Sequence, residues 1–357
     1  VYNWIEEGDA RMKAPEDMQE EIFTLPMSSY VDVGRDVAEE ETDDPDMPEL
    51  EDITEEEEPV NTGDVDDEDS RYTENDVHSL SSDSQFSIPN PWGVAVDNYG
   101  QELFLHTSGT KLSWMLPGMV KARYGANMKA PDLITSNQVR PTSGIEFVSS
   151  RHFPDEVQGD VLINNNIGFL GAKQHKVIDQ DPGFTTEYRQ DLFVSKDLNF
   201  RPTDLEFAPD GSLYVVDWQN ALIGHMQHNA RDPNRDHKHG RIYRITYPDR
   251  PLVKPAKIHG ASIPELLKNL ELPELRTRYR TRRELRGHNP NKVVKAASDW
   301  SRGKVDKLKL EALWVTWGAG QLSKELTREL LKSKDHRVRA AAVNALRFHV
   351  KSFPDHA

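Results

Sequence analysis

The densest run of reactive side chains extends from Asp217 to Ile245, DWQNALIGHMQHNARDPNRDHKHGRIYRI. It holds four histidines (225, 228, 237, 239), three aspartates (217, 232, 236) and four arginines (231, 235, 241, 244). Three chemistries fit these residue types. HxxH at His225 and His228 with HxH at His237 and His239 can bring imidazoles to a metal, and Asp236 would serve as carboxylate ligand or orienter, giving Asp236, His237 and His239 as the local set. Arg231 or Arg241 can hold an anionic cofactor or substrate as a carboxylate fork. Alternatively, Asp217, His225 and Arg241 satisfy backbone groups and ion pairs within a long loop. Asp232, Asn234 and Asp236 also open like a calcium loop, but His237 stands at its glycine and Tyr243 at its bidentate glutamate, which excludes an EF-hand.

Other candidates have a plainer reading beside the functional one. Six arginines lie between Arg276 and Arg286 in LRTRYRTRRELR, a density that can bind phosphate backbones. Tyr279 and Leu285 stand at helical spacing with Leu275, however. The arginines are therefore expected on the outer face of an amphipathic helix, pairing with an acidic segment or a neighbouring sheet, and nucleic acid is not the expected partner. His106 and His152 read as hydrogen-bonded turn histidines rather than bases. Asn164, Asn165 and Asn166 close a strand, where their amides serve a turn or a polar ligand.

The elements that position these residues show as a change of texture along the chain. From Phe86 onward, short alternating apolar runs are punctuated by Gly, Pro, Asn and Asp, the pattern of β-strands. Three stretches echo one another: Asn90–Gly109, Arg140–Asn166 and Arg201–Asn220. Each opens on a proline with a nearby Gly or Asp, runs through an apolar strand, turns and climbs a second strand. In the third, Asp210-Gly211 suits a tight hairpin turn with positive φ. The opening prolines, 91, 141 and 202, are 50 and 61 residues apart, which fits one four-stranded propeller blade apiece with loop insertions. Three blades do not close a ring and an unclosed propeller exposes strand edges, so either further blades lie upstream in a longer protein or this part is marginal as it stands.

Beyond Pro255 the period becomes helical. Leu310, Leu313, Trp314 and Trp317 fall at i, i+3, i+4 and i+7, and Leu322, Leu326 and Leu330 repeat every fourth residue. Val338, Ala341, Ala342, Ala345 and Leu346 form one stripe behind Asp335, a favourable charge for a helix N-terminus. Earlier helices are expected at 262–270, 273–286 and 291–301. The last stripe is similar to a HEAT repeat, where small alanines let paired helices pack closely into a solenoid. The expected fold class is β then α, with a partial propeller at 86–250 and HEAT-like helices at 258–357.

Charge divides the chain further. The formal net charge is -16, yet residues 36–76 alone carry 21 Asp or Glu against Arg71, while residues 251–357 hold 23 Lys or Arg against 11 acids. Runs such as AEEETDDPDMPELED cannot offset the entropy of ordering, so residues 1–85 are expected to be mostly disordered. The chain has no cysteine, which removes disulfides, thiolate zinc sites, a cysteine nucleophile and covalent haem attachment from it. No apolar run approaches the roughly 18 residues of a membrane span. No leader sequence is visible before Val1, and we read the chain as part of a longer protein.

Taken together, PNPWGVAVDNYGQ, RPTSGIEF, LNFRPTDLEFAPDGSLYVVDWQNALIGHMQHNARDPNRDHKHGRIYRITYP and YRTRRELRG resemble the large membrane-bound dehydrogenase proteins of planctomycetes and verrucomicrobia. The resemblance covers most of residues 86–357. It implies a propeller similar to the glucose/sorbosone dehydrogenases that use pyrroloquinoline quinone, with calcium, followed by HEAT-like helices. It also implies a sugar or alcohol substrate, a cytochrome c-type electron acceptor, and export to the periplasm or cell surface. The candidates for a base and a cofactor clamp are His225, His228, His237 and Arg241, with Arg231 beside Arg241 for cofactor carboxylates. The opposing expectation is a non-catalytic carbohydrate- or protein-binding propeller on a helical scaffold.

Overall fold

The computed structural model describes residues 91–107, 111–115, 132–134, 136–180, 183–221, 232–236 and 238–353. The acidic stretch and His225, His228, Arg231 and His237 lie outside the described residues.

Each echo becomes one antiparallel sheet with its strands in chain order. Pro91–Val96 (β1), Glu102–His106 (β2) and Lys111–Met115 (β3) form the first. Thr142–Phe147 (β4), Val161–Asn165 (β5), Gly171–Gln180 (β6) and Gly183–Val194 (β7) form the second. Pro202–Phe207 (β8), Leu213–Asp217 (β9) and Arg241–Ile245 (β10) form the third. Among the described residues only the second sheet has the expected four strands. Alternation decides which faces are dry: Leu213, Val215 and Asp217 of β9 are buried, while Tyr214 and Val216 are exposed.

The opening strands β1, β4 and β8 pack side by side. Their approach is close. A Cβ on Gly93 would stand 2.7 Å from Ile145 Cγ2, and one on Gly144 would stand 2.7 Å from Asp204 Cα. Each of the three strands also breaks register near its start, at Pro91/Gly93, Thr142/Ile145 and Pro202/Asp204, as β-bulges do where a strand must bend. The Ser143 hydroxyl donates to the Pro202 carbonyl at 2.6 Å and aligns the starts of β4 and β8. Ala95, Leu103, Leu105 and Leu112 of the first sheet join Ile145, Phe147, Val161 and Ile163 of the second in one core.

The Asp210-Gly211 turn differs in kind from the two-residue hairpin. A type I′ turn needs φ > 0 at both central residues, and here Gly211 (φ +85°) has it while Asp210 does not. The Ala208 N–H donates to the Ser212 carbonyl at 2.9 Å and the Gly211 N–H to the Ala208 carbonyl at 3.0 Å, which closes a longer loop ending on a left-handed glycine.

Six α-helices follow among the described residues: Ile263–Asn269 (α1), Leu275–Arg286 (α2), Pro290–Ser301 (α3), Asp306–Gly318 (α4), Lys324–Leu330 (α5) and His336–Arg347 (α6). Four of them, α1, α3, α5 and α6, start on local caps. The Ser262 N–H donates to Glu265 at 2.7 Å, and the side chains of Asn289, Ser323 and Asp335 accept backbone N–H groups of their first turns. Helix α1 packs on α2 and α3, α4 packs on α2, α3, α5 and α6, and α5 packs on α6. Leu310, Leu313, Leu326, Leu330, Val338, Ala342 and Ala345 lie in their common core. None of the described helices is long and apolar enough to cross a membrane.

Helix α2 corrects the outer-face reading for Arg278, which is buried, while Arg283 and Arg286 are exposed as expected and Arg276 and Arg280 pair with neighbouring sheets. Its buried residues are Thr277, Arg278, Thr281 and Leu285, whereas Tyr279 is exposed. Arg278, with only 2% exposure, reaches Glu311 of α4 at 2.5 Å and also donates to Asn98. Arg282 holds the other oxygen of Glu311 at 2.6 Å. Arg276 reaches Glu146 of β4 at 2.5 Å, and Arg280 reaches Glu206 of β8 at 3.5 Å. The arginines tie the helices to the sheets because a guanidinium offers several donors in one plane to carboxylates on different elements.

Glu311→Ala leaves Arg278 buried without its carboxylate. Urea unfolding is expected to show a loss of about 3–5 kcal/mol, with much of it recovered when Arg278→Met is combined with Glu311→Leu. Equal losses in the single and double variants would show that this pair is not what fastens α2 to α4.

Candidate functional site

Asp217 of β9 and Arg241 of β10 stand at one end of the third sheet's strands. There β4 and β8 begin while β5 and β9 finish, as the pairings Thr142 with Asn165, Pro202 with Asp217 and Arg241 with Asp217 require. Asp217 closes β9 with its side chain fully buried. Its Oδ1 accepts the N–H groups of Arg201 at 2.7 Å and Gln219 at 2.8 Å, and its Oδ2 accepts Arg241 Nε at 2.6 Å. Arg241 Nη1 donates to Asp197 at 2.7 Å. Arg201 donates to the carbonyls of Asn220 at 3.0 Å, Asn166 at 2.9 Å and Ala221 at 3.4 Å. Two cations thus face two anions in a sheltered joint between the second and third sheets.

Burial and pairing oppose each other in this joint. Burial pushes the Arg201 pKa down against the pull of Asp217 and Asp197. Burial also works against charge on Asp197, but the Asn199 N–H and Arg241 outweigh it and hold the carboxyl below its ordinary range. For Arg241 burial favours the neutral form, yet Asp197 and Asp217 prevail and hold its pKa above the ordinary arginine value.

Arg241 therefore has two of its three nitrogens committed to carboxylates. Its Nη2 is buried with no hydrogen-bond partner among the described residues. Asp236 and His239 are brought together, His239 Nδ1 standing 2.9 Å from Asp236 Oδ2. The same carboxylate accepts the N–H groups of Lys238 at 2.9 Å and His239 at 3.1 Å, and these contacts hold it below the usual carboxylate range. The Asn220 amide reaches the Asp236 carbonyl at 3.4 Å, linking this turn to the strand end. Among the described residues no three His, Cys, Asp or Glu converge as metal ligands. His225, His228, Arg231 and His237 lie outside the described residues.

His152 is buried as a strut. Its Nε2 accepts the Tyr247 N–H at 2.8 Å, so Nδ1 carries the proton and donates to the Pro251 carbonyl at 3.0 Å. Asn165 makes a local contact to the Ile163 carbonyl at 3.3 Å. Asn164 is fully buried, yet neither atom of its amide has a partner among the described residues, and Asn166 Oδ1 is in the same position.

A second polar group escaped the sequence reading. Lys173 on β6 and Tyr188 on β7 both reach Asp191 Oδ1, at 2.8 and 2.9 Å, and Lys173 also lies 4.1 Å over the Phe169 ring. The His175 ring packs edge-on against Tyr188 at 5.7 Å. Lys173 and His175 are two apart in KQHKV, so a strand places them on one face. Their polarity suggests solvent, whereas pairing with Ile163 and Val161 buries them.

A family model described as a domain of unknown function (DUF7133) matches residues 121–249. No curated protein matches the chain. Among solved structures, a glucose dehydrogenase is 22% identical, with 36% of this chain and 37% of that chain covered at a TM-score of 0.27. An oxidoreductase (glucose dehydrogenase) from Thermus thermophilus is 15% identical, with 43% and 44% covered at 0.26. A further glucose dehydrogenase is 18% identical, with 36% and 41% covered at 0.24. The chain spans 37–44% of the lengths of these structures.

Two measurements probe the site. Arg241→Ala leaves the Asp217 charge buried and unpaired, and is expected to cost about 3 kcal/mol or more in chemical unfolding. An unchanged unfolding midpoint would remove Arg241 from the framework. The second concerns His175, whose pKa burial, with Lys173 nearby, lowers from 6.5 to about 4. Below pH 6.5 the unfolded chain takes up a proton that the folded chain refuses until about 4. Stability present above 6.5 is therefore lost as the pH falls through that window. His175→Gln should flatten that part of the pH–stability curve; an identical slope in the variant would refute the assignment.

Proposed function

We propose that this chain is part of a sugar- or alcohol-oxidising β-propeller protein of the glucose/sorbosone dehydrogenase kind, with its three sheets as blades and its helices as a HEAT-like solenoid. The observation that carries this reading is the gathering of Asp197, Arg201, Asp217, Asn220 and Arg241 at the strand end where Asn164–Asn166 also lie. Polar side chains at one end of neighbouring sheets are where such architectures carry their chemistry, on loops held by a rigid frame. The motif resemblance from Leu198 to Pro248 supports it, and export to the periplasm or cell surface belongs to the same proposal.

The described residues do not fit pyrroloquinoline quinone. Arg201 is spent on three carbonyls and Arg241 on two carboxylates, so one guanidinium nitrogen remains for an acid-bearing quinone. Contacts to such a cofactor fall in this proposal to His225, His228, Arg231 and His237, with Asp236, His237 and His239 as the cation set. One of the three histidines His225, His228 and His237 acts as the base that accepts the hydroxyl proton.

A specific observation favours the alternative, a non-catalytic carbohydrate- or protein-binding propeller. Arg241, the best-placed cationic candidate, has Nη1 and Nε held by Asp197 and Asp217.

Adding pyrroloquinoline quinone and calcium to the purified protein should quench tryptophan fluorescence, and sugars or alcohols should then reduce a redox dye. Replacing the base among His225, His228 and His237 by Ala should lower kcat by about 100-fold or more. Absence of both quenching and dye reduction would leave the binding-module reading.

A further inference from the structure

The third sheet has one covered face and one exposed face. Leu213 and Val215 of β9 are buried, and the alternate residues, Tyr214 and Val216, point the other way. Cross-strand pairing sets out that other face in two rows: Asp204 of β8, Val216 of β9 and Ile242 of β10, then Glu206, Tyr214 and Arg244. Tyr214, Val216 and Ile242 are 36%, 42% and 61% exposed. An apolar centre rimmed by charge marks a surface that meets another protein, and a sheet buries such a face against a second layer.

Charge on this face is polarised across the strands. Both acids stand on β8 and the arginine stands on β10, with apolar side chains between them. Two copies can lay this face together about a two-fold axis in two principal ways. With the axis across the strands, β8 covers β8 and Asp204 falls on Glu206 of the other copy, which sets like charges together. With the axis along β9, β8 of each copy covers β10 of the other. Glu206 then faces Arg244, Asp204 faces Ile242, and Tyr214 and Val216 meet their own counterparts. Of the two, this arrangement is the one that sets opposite charges together. Arg244 gives Nη2 to Asp210 at 2.5 Å and Nε to Ser212 at 3.1 Å, and Nη1 takes part in neither contact. The Glu206 side chain, 31% exposed, lies 3.6 Å from Arg276 and 3.5 Å from Arg280, so a facing Arg244 extends an ion-pair network.

We propose that the outer face of the third sheet binds a second copy of this chain, with the two-fold axis along β9. The pairing is self-complementary, acid edge to basic edge on both sides of an apolar centre. It goes beyond the propeller reading and does not depend on it. In a longer protein a further blade would compete with the second copy for this face.

The test is sedimentation of the purified full chain over a range of concentrations, with cross-linking as a second measurement. The chain should sediment at twice its monomer mass at micromolar concentration. Ile242→Asp sets a second acid against Asp204 of the other copy and should weaken the dimer about hundredfold or more. Ile242→Lys sets a cation there, should keep the dimer, and doubles as the folding control. The chain has no cysteine, so Val216→Cys supplies a single thiol that meets its counterpart across the axis. Mild oxidation should link it into a disulfide-bonded dimer well ahead of Leu198→Cys, a control at a position that is 75% exposed and outside the face. A chain that stays monomeric across the range, as a face reserved for a further blade predicts, would overturn the proposal. So would a dimer that Ile242→Asp and Ile242→Lys disturb alike, or one in which Val216→Cys links no faster than Leu198→Cys.

Discussion

The close approach of β1, β4 and β8 is the constraint on which the sheets depend. Strands that pack this tightly cannot all carry side chains at the crossing points, and Gly93 and Gly144 lack the Cβ that would stand only 2.7 Å from a neighbouring atom in each case. The register breaks beside them bend each strand where the contact is tightest. With the starts of β1 and β4 held together, the first and second sheets share one apolar core that includes Ile145.

The helices are fastened to this frame by charge as much as by apolar contact. Arg276 and Arg280 reach carboxylates on β4 and β8, and Arg151 grips Glu274 at 2.6 Å just before α2. The Ser149 hydroxyl accepts the Leu275 N–H at 2.7 Å and donates to the Pro273 carbonyl at 3.2 Å. Burial pushes the Glu146 carboxyl up, with Arg276 opposing. A set of such contacts fixes orientation because each guanidinium accepts only a narrow geometry. Their net contribution to stability is smaller than their number suggests, since desolvation offsets much of the Coulomb attraction.

The same economy governs the strand end. Asp217 accepts from three groups and thereby joins β8, β9 and β10, so the residue type that suggests catalysis serves the frame first. What that pairing leaves over is one buried guanidinium nitrogen, Arg241 Nη2.

Much of this was legible before any coordinates. The three strand-turn-strand echoes, the helices at 263–269, 275–286 and 290–301, the cap at Asp335 and the alanine stripe of α6 follow from local period and local chemistry, which a short window of sequence contains. The sheet pairing of Arg241 with Asp217, the burial of Arg278 against Glu311, the exposure of Tyr279 and the concealment of Lys173 and His175 did not follow. Each depends on which face of an element meets a neighbour from a distant part of the chain. Sequence alone determined the elements and the types of group at hand, because propensity and periodicity are local properties. Tertiary structure alone decided which charges cancel and which amides are left over, because partners across 24 to 180 residues of chain meet only when the sheets and helices pack.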